Sequence, residues 1–186
     1  MEVCRSAVQR IRLEAIPGNG PILDIGAGSE GLVSRIAGSR VCAVDIRIEK
    51  IREAQIYGAP ANWIVGDARH LCFKEGVFEW ATFWFSLAYM RTPEVKRLAL
   101  REAYRVLSAG GMLSILAARV TCGKQKFCFR ALFEFPNGEL SQVGYGVRGD
   151  QNQTIDGVSQ LIRAAGFSIV DEKDNSEWFK IIATKE

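Results

Sequence analysis

The chain has 186 residues, 48% of them hydrophobic and 24% charged, with a net charge of +3. That length suits one domain around one large core, and the composition is ordinary for a soluble globular protein. No apolar run is long enough to span a membrane, and so small a positive charge does not by itself point to nucleic acid.

Residues 3–16 read as an amphipathic helix, with Val3, Ala7, Val8 and Ile11 on one stripe and the Pro-Gly-Asn-Gly of residues 17–20 ending it. Charges throughout residues 1–16 argue against a secretory signal. Residues 22–25 are a short apolar run, read as a buried parallel strand. It stops at Gly26, and a helical pattern follows with Leu32, Val33 and Ile36 on one face. A glycine-bearing turn lets a ligand approach the backbone, and a helix start adds free N–H groups.

Gly26, Gly28 and Gly31 fit G-x-G-x-x-G, the pattern of dinucleotide-binding turns. They fit equally the D-x-G-x-G pattern of S-adenosylmethionine (SAM) enzymes, with Glu30 where a third glycine is usual. Asp24 favours the second reading. A carboxylate two residues before the first glycine would repel a pyrophosphate, whereas it favours the sulfonium and ammonium of SAM. A tight corner without a ligand is the remaining alternative.

Residues 40–45 form the next strand, closed by Asp45, a carboxylate placed to accept both hydroxyls of a ribose. A helix over residues 48–57 is broken at 58–60, and residues 62–65 give a third short strand. It runs into Gly66, Asp67, Ala68 and Arg69, where a carboxylate can reach the amine of an adenine. His70, the only histidine, reads as a rim residue. Residues 77–85 are an aromatic strand, with Phe83 and Trp84 placed to wall a pocket. Thr92 and Pro93 open a helix with Val95, Leu98, Ala99 and Val106 as its buried stripe. Residues 108–111 stop it, and 112–117 form a fifth strand. This alternation predicts an α/β fold, a parallel, doubly wound Rossmann-like sheet.

At this point the chain resembles a class I SAM-dependent methyltransferase of the type 11, UbiE-like small-molecule group. Four segments carry the resemblance: residues 23–28, the strand-end Asp45, residues 66–73, and residues 104–113. The tail extends it. Thr154 caps a helix whose Ile155, Val158, Leu161, Ile162 and Ala165 share a face, and residues 167–171 and 178–183 resemble the family's closing antiparallel strand pair, making seven strands in all. The resemblance implies a single domain over residues 1–186, with a cofactor-binding core at 21–117, an acceptor-capping insert at 118–153 and a closing unit at 154–186. It implies SAM as cofactor, with Gly26, Ala27 and Gly28 at its methionine end and Asp24 orienting the ammonium. Asp45 would hold the ribose, Ile46 would pack on the adenine, and Gly66, Asp67 and Ala68 would read the adenine edge. Phe83 would stand near the methyl, and Tyr89 is the candidate contact for the acceptor. Glu30, Glu79 and the Phe83-Trp84 pair depart from the family's usual residues.

Within 118–153, aromatics alternate at 127, 129, 133 and 135 before Pro-Asn-Gly, which predicts a hairpin, with a helix over 124–134 as the rival. The segment is expected to fold over the carboxyl ends of strands four and five and to line an acceptor site with Phe127, Phe129 or Tyr145; a dimerisation arm is the other reading. Arg119, Lys124, Lys126 and Arg130 make a run without acids that suits an anionic partner or, more simply, a solvated edge. Five cysteines without a C-x-x-C pair read as reduced thiols, mostly in the core, in a cytoplasmic protein without a metal site. The expected activity is methyl transfer to a small molecule. A nicotinamide oxidoreductase and a non-catalytic SAM-binding protein are the alternatives, nucleic acid is the less favoured partner, no membrane partner is expected, and a homodimer is left open.

Overall fold

The computed structural model describes residues 2–56 and 60–186. In chain order the elements are β1 (Val3–Arg12), β2 (Ile22–Ile25), α1 (Leu32–Ala37), β3 (Val41–Asp45), α2 (Ile48–Ile56), β4 (Asn62–Val65), β5 (Phe78–Trp84), α3 (Pro93–Val106), β6 (Leu107–Ala118), β7 (Lys126–Glu134), β8 (Leu140–Arg148), α4 (Ile155–Ala164), β9 (Ser168–Asp174) and β10 (Trp178–Thr184). The break expected after the second helix falls partly on residues 57–59, outside the described residues.

Seven strands form one sheet in the order β4-β3-β2-β5-β6-β10-β9. The pairs from β4 to β6 are parallel, and β10 runs antiparallel to both β6 and β9. This is the doubly wound sheet with an antiparallel closing pair that the strand–helix alternation and the family resemblance predict. Every residue of β2 is buried, because both faces are covered. Leu23 and Ile25 pack with α3 and α4, while Ile22, one residue out of step, packs with Val33 of α1. Thr92 and Thr154 cap helix starts as expected: Thr92 Oγ1 accepts the Val95 N–H, and Thr154 Oγ1 accepts the Gly157 N–H, each at 3.2 Å. The buried stripe of α3 is Ala99, Leu100, Ala103 and Val106, so Val95 and Leu98 lie nearer its edge than the sequence pattern suggests. β6 also begins earlier, taking in the residues expected to be a stop.

The largest departure is at the N-terminus. Residues 3–12 are a strand, not a helix. β1 pairs in parallel with β7, and β7 pairs with β8, giving a second, three-stranded sheet. The apolar residues at helical spacing are outweighed by an unpaired edge of β7 that takes a β-branched segment as its neighbour. The β1–β7 register slips between Arg5 and Val8. Arg130 fills that irregularity: its guanidinium donates to Ser6 O at 3.0 and 2.9 Å, and its backbone N–H donates to Ser6 Oγ at 2.9 Å. A helix at 124–134 is ruled out, and the alternating aromatics behave as a strand face. Phe127, Phe129, Ala131 and Phe133 are buried from one side of β7.

That face docks on the main sheet through a shared cluster that includes Leu32 of α1, Leu116 of β6 and Phe85. Phe85 has φ 58°, unusual for a bulky residue. Its N–H still bonds Leu116 O at 2.7 Å, so it continues the β5–β6 ladder while its side chain leaves in a new direction. The ring lies between Phe129, at 5.4 Å, and Tyr145, at 5.0 Å, nearly parallel to both. Backbone strain of about 1–3 kcal/mol is offset by that sandwich. None of the five cysteines is fully buried: Cys72 is exposed, the others are half-buried, and Cys4, Cys42 and Cys122 pack at the edge of the core clusters rather than inside them.

Because Phe129 is fully buried between the two sheets, Phe129→Ala is expected to cost about 3–5 kcal/mol in urea unfolding. A loss below about 1 kcal/mol, within the range of surface substitutions, would mean that the small sheet contributes little to the stability of the large one.

Candidate functional site

A cavity of about 1200 Å³ opens over the carboxyl ends of β2, β3, β4 and β5. The strand order reverses between β2 and β5, and such a switch point leaves a crevice because the following connections leave in opposite directions. The small sheet covers the crevice from the other side.

Asp24 lies at its floor. It is 3% exposed, yet it lines the cavity. Thr82 Oγ1 donates to its Oδ1 at 2.7 Å, and among the described residues no basic side chain pairs with it. Burial pushes the carboxyl up to about 7; the Thr82 hydrogen bond opposes the rise and the neighbouring Asp45 charge adds to it.

The turn above it is built by glycine for two reasons. Gly26 has φ 73°, and a Cβ there would stand 2.5 Å from Ser86 Cβ. The N–H groups of Gly26 and Ala27 donate to Val44 O at 2.8 and 3.1 Å, and the Gly28 N–H donates to Asp45 Oδ2 at 3.0 Å. All three amides are therefore committed to β3. These three amides offer an anion no cradle, and α1, at six residues, is too short to supply much of a dipole. Backbone contacts from Gly26 to Gly28 to a ligand would have to come from carbonyls.

Asp45 is 7% exposed and accepts a second amide, from Arg47, at Oδ1 (2.9 Å). Each oxygen keeps a lone pair for a ligand hydroxyl. Ile46, 62% exposed, presents an apolar surface beside it. Gly66, Asp67 and Ala68 line the next stretch. Asp67 is gripped by Arg69, whose Nε lies 3.0 Å from each carboxylate oxygen and whose Nη2 lies 2.6 Å from Oδ2. That hydrogen-bonded guanidinium holds the Asp67 carboxyl below its usual range. His70 is exposed and does not line the cavity.

Phe83 must be removed from the site. It is fully buried in the core under α3 and α4, because alternate residues of β5 face opposite sides of the sheet. Trp84 does line the cavity, with its Nε1 donating to Ser114 Oγ at 3.1 Å. The aromatic wall is Phe85, which only its left-handed backbone brings there, and Ser86 sits beside it; sequence periodicity carries no sign of either. Tyr89 lines the opposite wall with the Arg47 guanidinium 6.0 Å from its ring centroid. From the small sheet come Phe127 and Tyr145, whereas Phe129 stays wholly in the core. Of the basic run, Arg119 pairs with Asp174, Lys124 with Glu2 and Arg130 with Ser6, and Lys126 alone reaches the cavity. Among the described residues no group of three or more potential ligands could hold a metal ion, and no helix is long and apolar enough to cross a membrane.

Residues 22–111 match the model of a methyltransferase domain. The chain is 28% identical over 160 residues to a mitochondrial 2-methoxy-6-polyprenyl-1,4-benzoquinol methylase of Leishmania donovani, covering 76% of this chain and 54% of that one. It is 39% identical over 67 residues to a ubiquinone/menaquinone biosynthesis C-methyltransferase UbiE of a Ruegeria species, covering 36% of this chain and 26% of that one. The chain thus spans about half or less of the length of these relatives. A SAM-dependent methyltransferase structure from Methanosarcina mazei shares the fold with a TM-score of 0.67 and 23% identity, covering 89% of this chain and 92% of that one. One from Mesorhizobium loti does so with a TM-score of 0.64 and 15% identity, covering 91% and 93%. Residues 22–111 thus match a methyltransferase domain, and part of the chain is similar to UbiE-type methylases.

Two outcomes are expected from this geometry. Gly26→Val should abolish ligand binding in the cavity with a near-native circular dichroism spectrum; normal binding would make the turn a structural corner only. Asp24 bears on stability with a definite sign. Its folded carboxyl titrates near 7 against 3.8 ordinarily, so the native state keeps a proton that the unfolded chain has lost. Ligand-free stability should fall as pH rises from about 4 to 7, by on the order of 4 kcal/mol. Asp24→Asn keeps an acceptor for Thr82 and removes the charge. Its melting temperature should match wild type near pH 4 and exceed it at pH 8, and equal melting at pH 8 would refute the buried-charge assignment.

Proposed function

We propose that this chain transfers the methyl group of SAM to a small acceptor with a flat aromatic ring. The observation that carries the reading is Asp24, a buried carboxylate without a cationic partner among the described residues, facing the cavity at the family's glycine turn. A ligand with positive charge relieves what burial imposes there. The committed amides of Gly26, Ala27 and Gly28 count against a pyrophosphate, and so against the nicotinamide alternative.

The residues fit SAM in three places. Asp24 would face its ammonium, the remaining lone pairs of Asp45 would accept the ribose hydroxyls, and Ile46 with Asp67 and Ala68 would border the adenine. SAM supplies a methyl already activated by the sulfonium charge. The protein's part is then alignment and exclusion of water. The small sheet supports the second: it closes the cavity with Phe127 and Tyr145, and Phe85 joins them in a wall suited to one face of a ring. Tyr89 is placed to hydrogen-bond or pack on the acceptor. The benzoquinol and quinone methylases among the relatives favour a quinol as the ring, with residues 1–186 acting as one unit.

Calorimetric titration tests the cofactor. SAM should bind and NAD should not. Asp45→Ala should weaken SAM by about 1.5–3 kcal/mol, the scale of hydrogen bonds to a charged group; unchanged affinity would remove Asp45 from the ribose site. Turnover with a short-chain 2-methoxy-6-alkyl-1,4-benzoquinol tests the acceptor. Formation of S-adenosylhomocysteine with this compound, and none without it, is the expected result. SAM binding without turnover would leave the cofactor assignment standing and overturn the quinol.

A further inference from the structure

Five carboxylates line the cavity: Asp24, Glu30, Asp45, Asp67 and Asp150. Asp67 is neutralised by Arg69 and Asp150 by Arg148, and Asp45 is held by two backbone amides. Glu30 is different. Its carboxylate accepts one hydrogen bond, from Ser29 Oγ at 3.3 Å, and among the described residues no cation pairs with it. It stands in the glycine turn where the family resemblance puts glycine, so this chain has added a charge to the ligand side of its most constrained loop.

Glu30 and Asp24 act on the same end of the cavity. The Tyr145 hydroxyl is pushed well above its ordinary range, chiefly by burial and then by Glu30, Tyr89 and Asp24; no basic group counters them. Tyr89 is raised too, by burial first, with Cys128 and Glu30 adding and Arg47 opposing. Two carboxylates and two phenols thus converge beneath the small sheet. Of the cations lining the cavity, Arg47 faces them from beyond the Tyr89 ring, Lys50 is paired with Glu53 at 2.6 Å, Arg69 and Arg148 hold Asp67 and Asp150, and Arg91 and Lys126 complete the set. This end is electronegative and half enclosed by aromatic rings. Low local dielectric strengthens the pull on any positive charge placed there.

We infer that Glu30 makes this end of the cavity discriminate by the charge on sulfur, holding the sulfonium of SAM and releasing the neutral thioether of S-adenosylhomocysteine. The inference rests on the methyl-transfer reading. SAM and its product carry the same amino, carboxylate, ribose and adenine groups and differ in a methyl and a unit of charge. Contacts along the rest of the molecule therefore bind both alike, and a carboxylate near the sulfur separates them. Such a device sheds product after each turnover.

The test compares affinities at pH 8, where Asp24 is ionised, in 100 mM salt. SAM, S-adenosylhomocysteine and sinefungin, which carries an amine near the sulfur position, are titrated into wild type, Glu30→Gln and Glu30→Gly. The wild type should bind SAM and sinefungin at least tenfold more tightly than S-adenosylhomocysteine. Glu30→Gln should shrink that ratio at least fivefold, chiefly by weakening the two cations, and Glu30→Gly should do the same without the bulk of the side chain. Equal wild-type affinities, or a ratio that changes less than twofold in both variants, would overturn the inference while SAM binding stands. A wild type that binds neither SAM nor S-adenosylhomocysteine would overturn the methyl-transfer reading itself and the inference with it.

Discussion

A carboxylate taken out of water with one hydroxyl for company is the constraint around which the site is built. Asp24 belongs to a strand whose every residue is buried, so its position in the pleat decides what it meets. One neighbour in the sheet is β5, which supplies Thr82; the other is β3, whose Asp45 brings a second negative charge close enough to oppose ionisation. Neither neighbour supplies a cation. The turn that follows commits the amides of Gly26, Ala27 and Gly28 to β3, through Val44 O and Asp45. A positive ligand is the species whose arrival improves this arrangement. The same inventory that makes the ligand-free site uncomfortable makes it selective.

The roof of the cavity follows from a second constraint, the direction in which β5 releases the chain. An ordinary extended residue after Trp84 would send the next side chain along the sheet normal. The left-handed Phe85 turns it instead into the small sheet, where Phe129 and Tyr145 close on its ring. Core packing and cavity wall are thus one structure. Phe129 and Phe133 anchor the hairpin on the dry side, and Tyr145, on the adjoining strand, keeps its hydroxyl toward the carboxylates. The hairpin is no detachable lid, since β1 is laced to it along a parallel register and Leu13 and Ile11 share its cluster. Removing it would strip apolar cover from Leu32 and Leu116 in the main sheet.

Much of the main sheet was legible because its signals are local. A four-residue apolar run closed by glycine, the acid at the end of the next strand and the capped helix at Thr92 each imply their own geometry. The cofactor-side residues were legible for the same reason, as strand ends that the doubly wound order brings together. What escaped is non-local. Residues 3–12 carry a helical spacing of apolar side chains, and only a partner strand more than a hundred residues away makes them extended. Phe83 and Phe85 are both aromatic at the end of one strand; period-2 alternation sends the first into the core, and an αL backbone that no propensity predicts brings the second to the site. Asp67 looked free in sequence, yet Arg69, two residues on, curls back to hold it. The odd glutamate of the turn was visible as a departure from pattern, but its meaning needed the list of cations that do not reach it.

A pocket that prefers the sulfonium also opposes the reaction. Methyl transfer disperses the positive charge, so a carboxylate near sulfur stabilises reactants more than the transition state and raises the barrier. Asp24, which faces the ammonium, adds little to that penalty. Its carboxyl titrates near 7 in the ligand-free protein, so a cation beside it favours the ionised form and loss of that cation favours the proton. The ammonium it faces is kept by the product, so Asp24 holds donor and product alike and regains its proton when the site empties, the neutral acid being the form that burial prefers. Glu30, half-exposed and hydrogen-bonded to Ser29, is the carboxylate left to face the sulfur. One carboxylate answers the ammonium that donor and product share and the other the sulfur charge that they do not, and that division is what lets a single cavity bind tightly before the transfer and loosely after it.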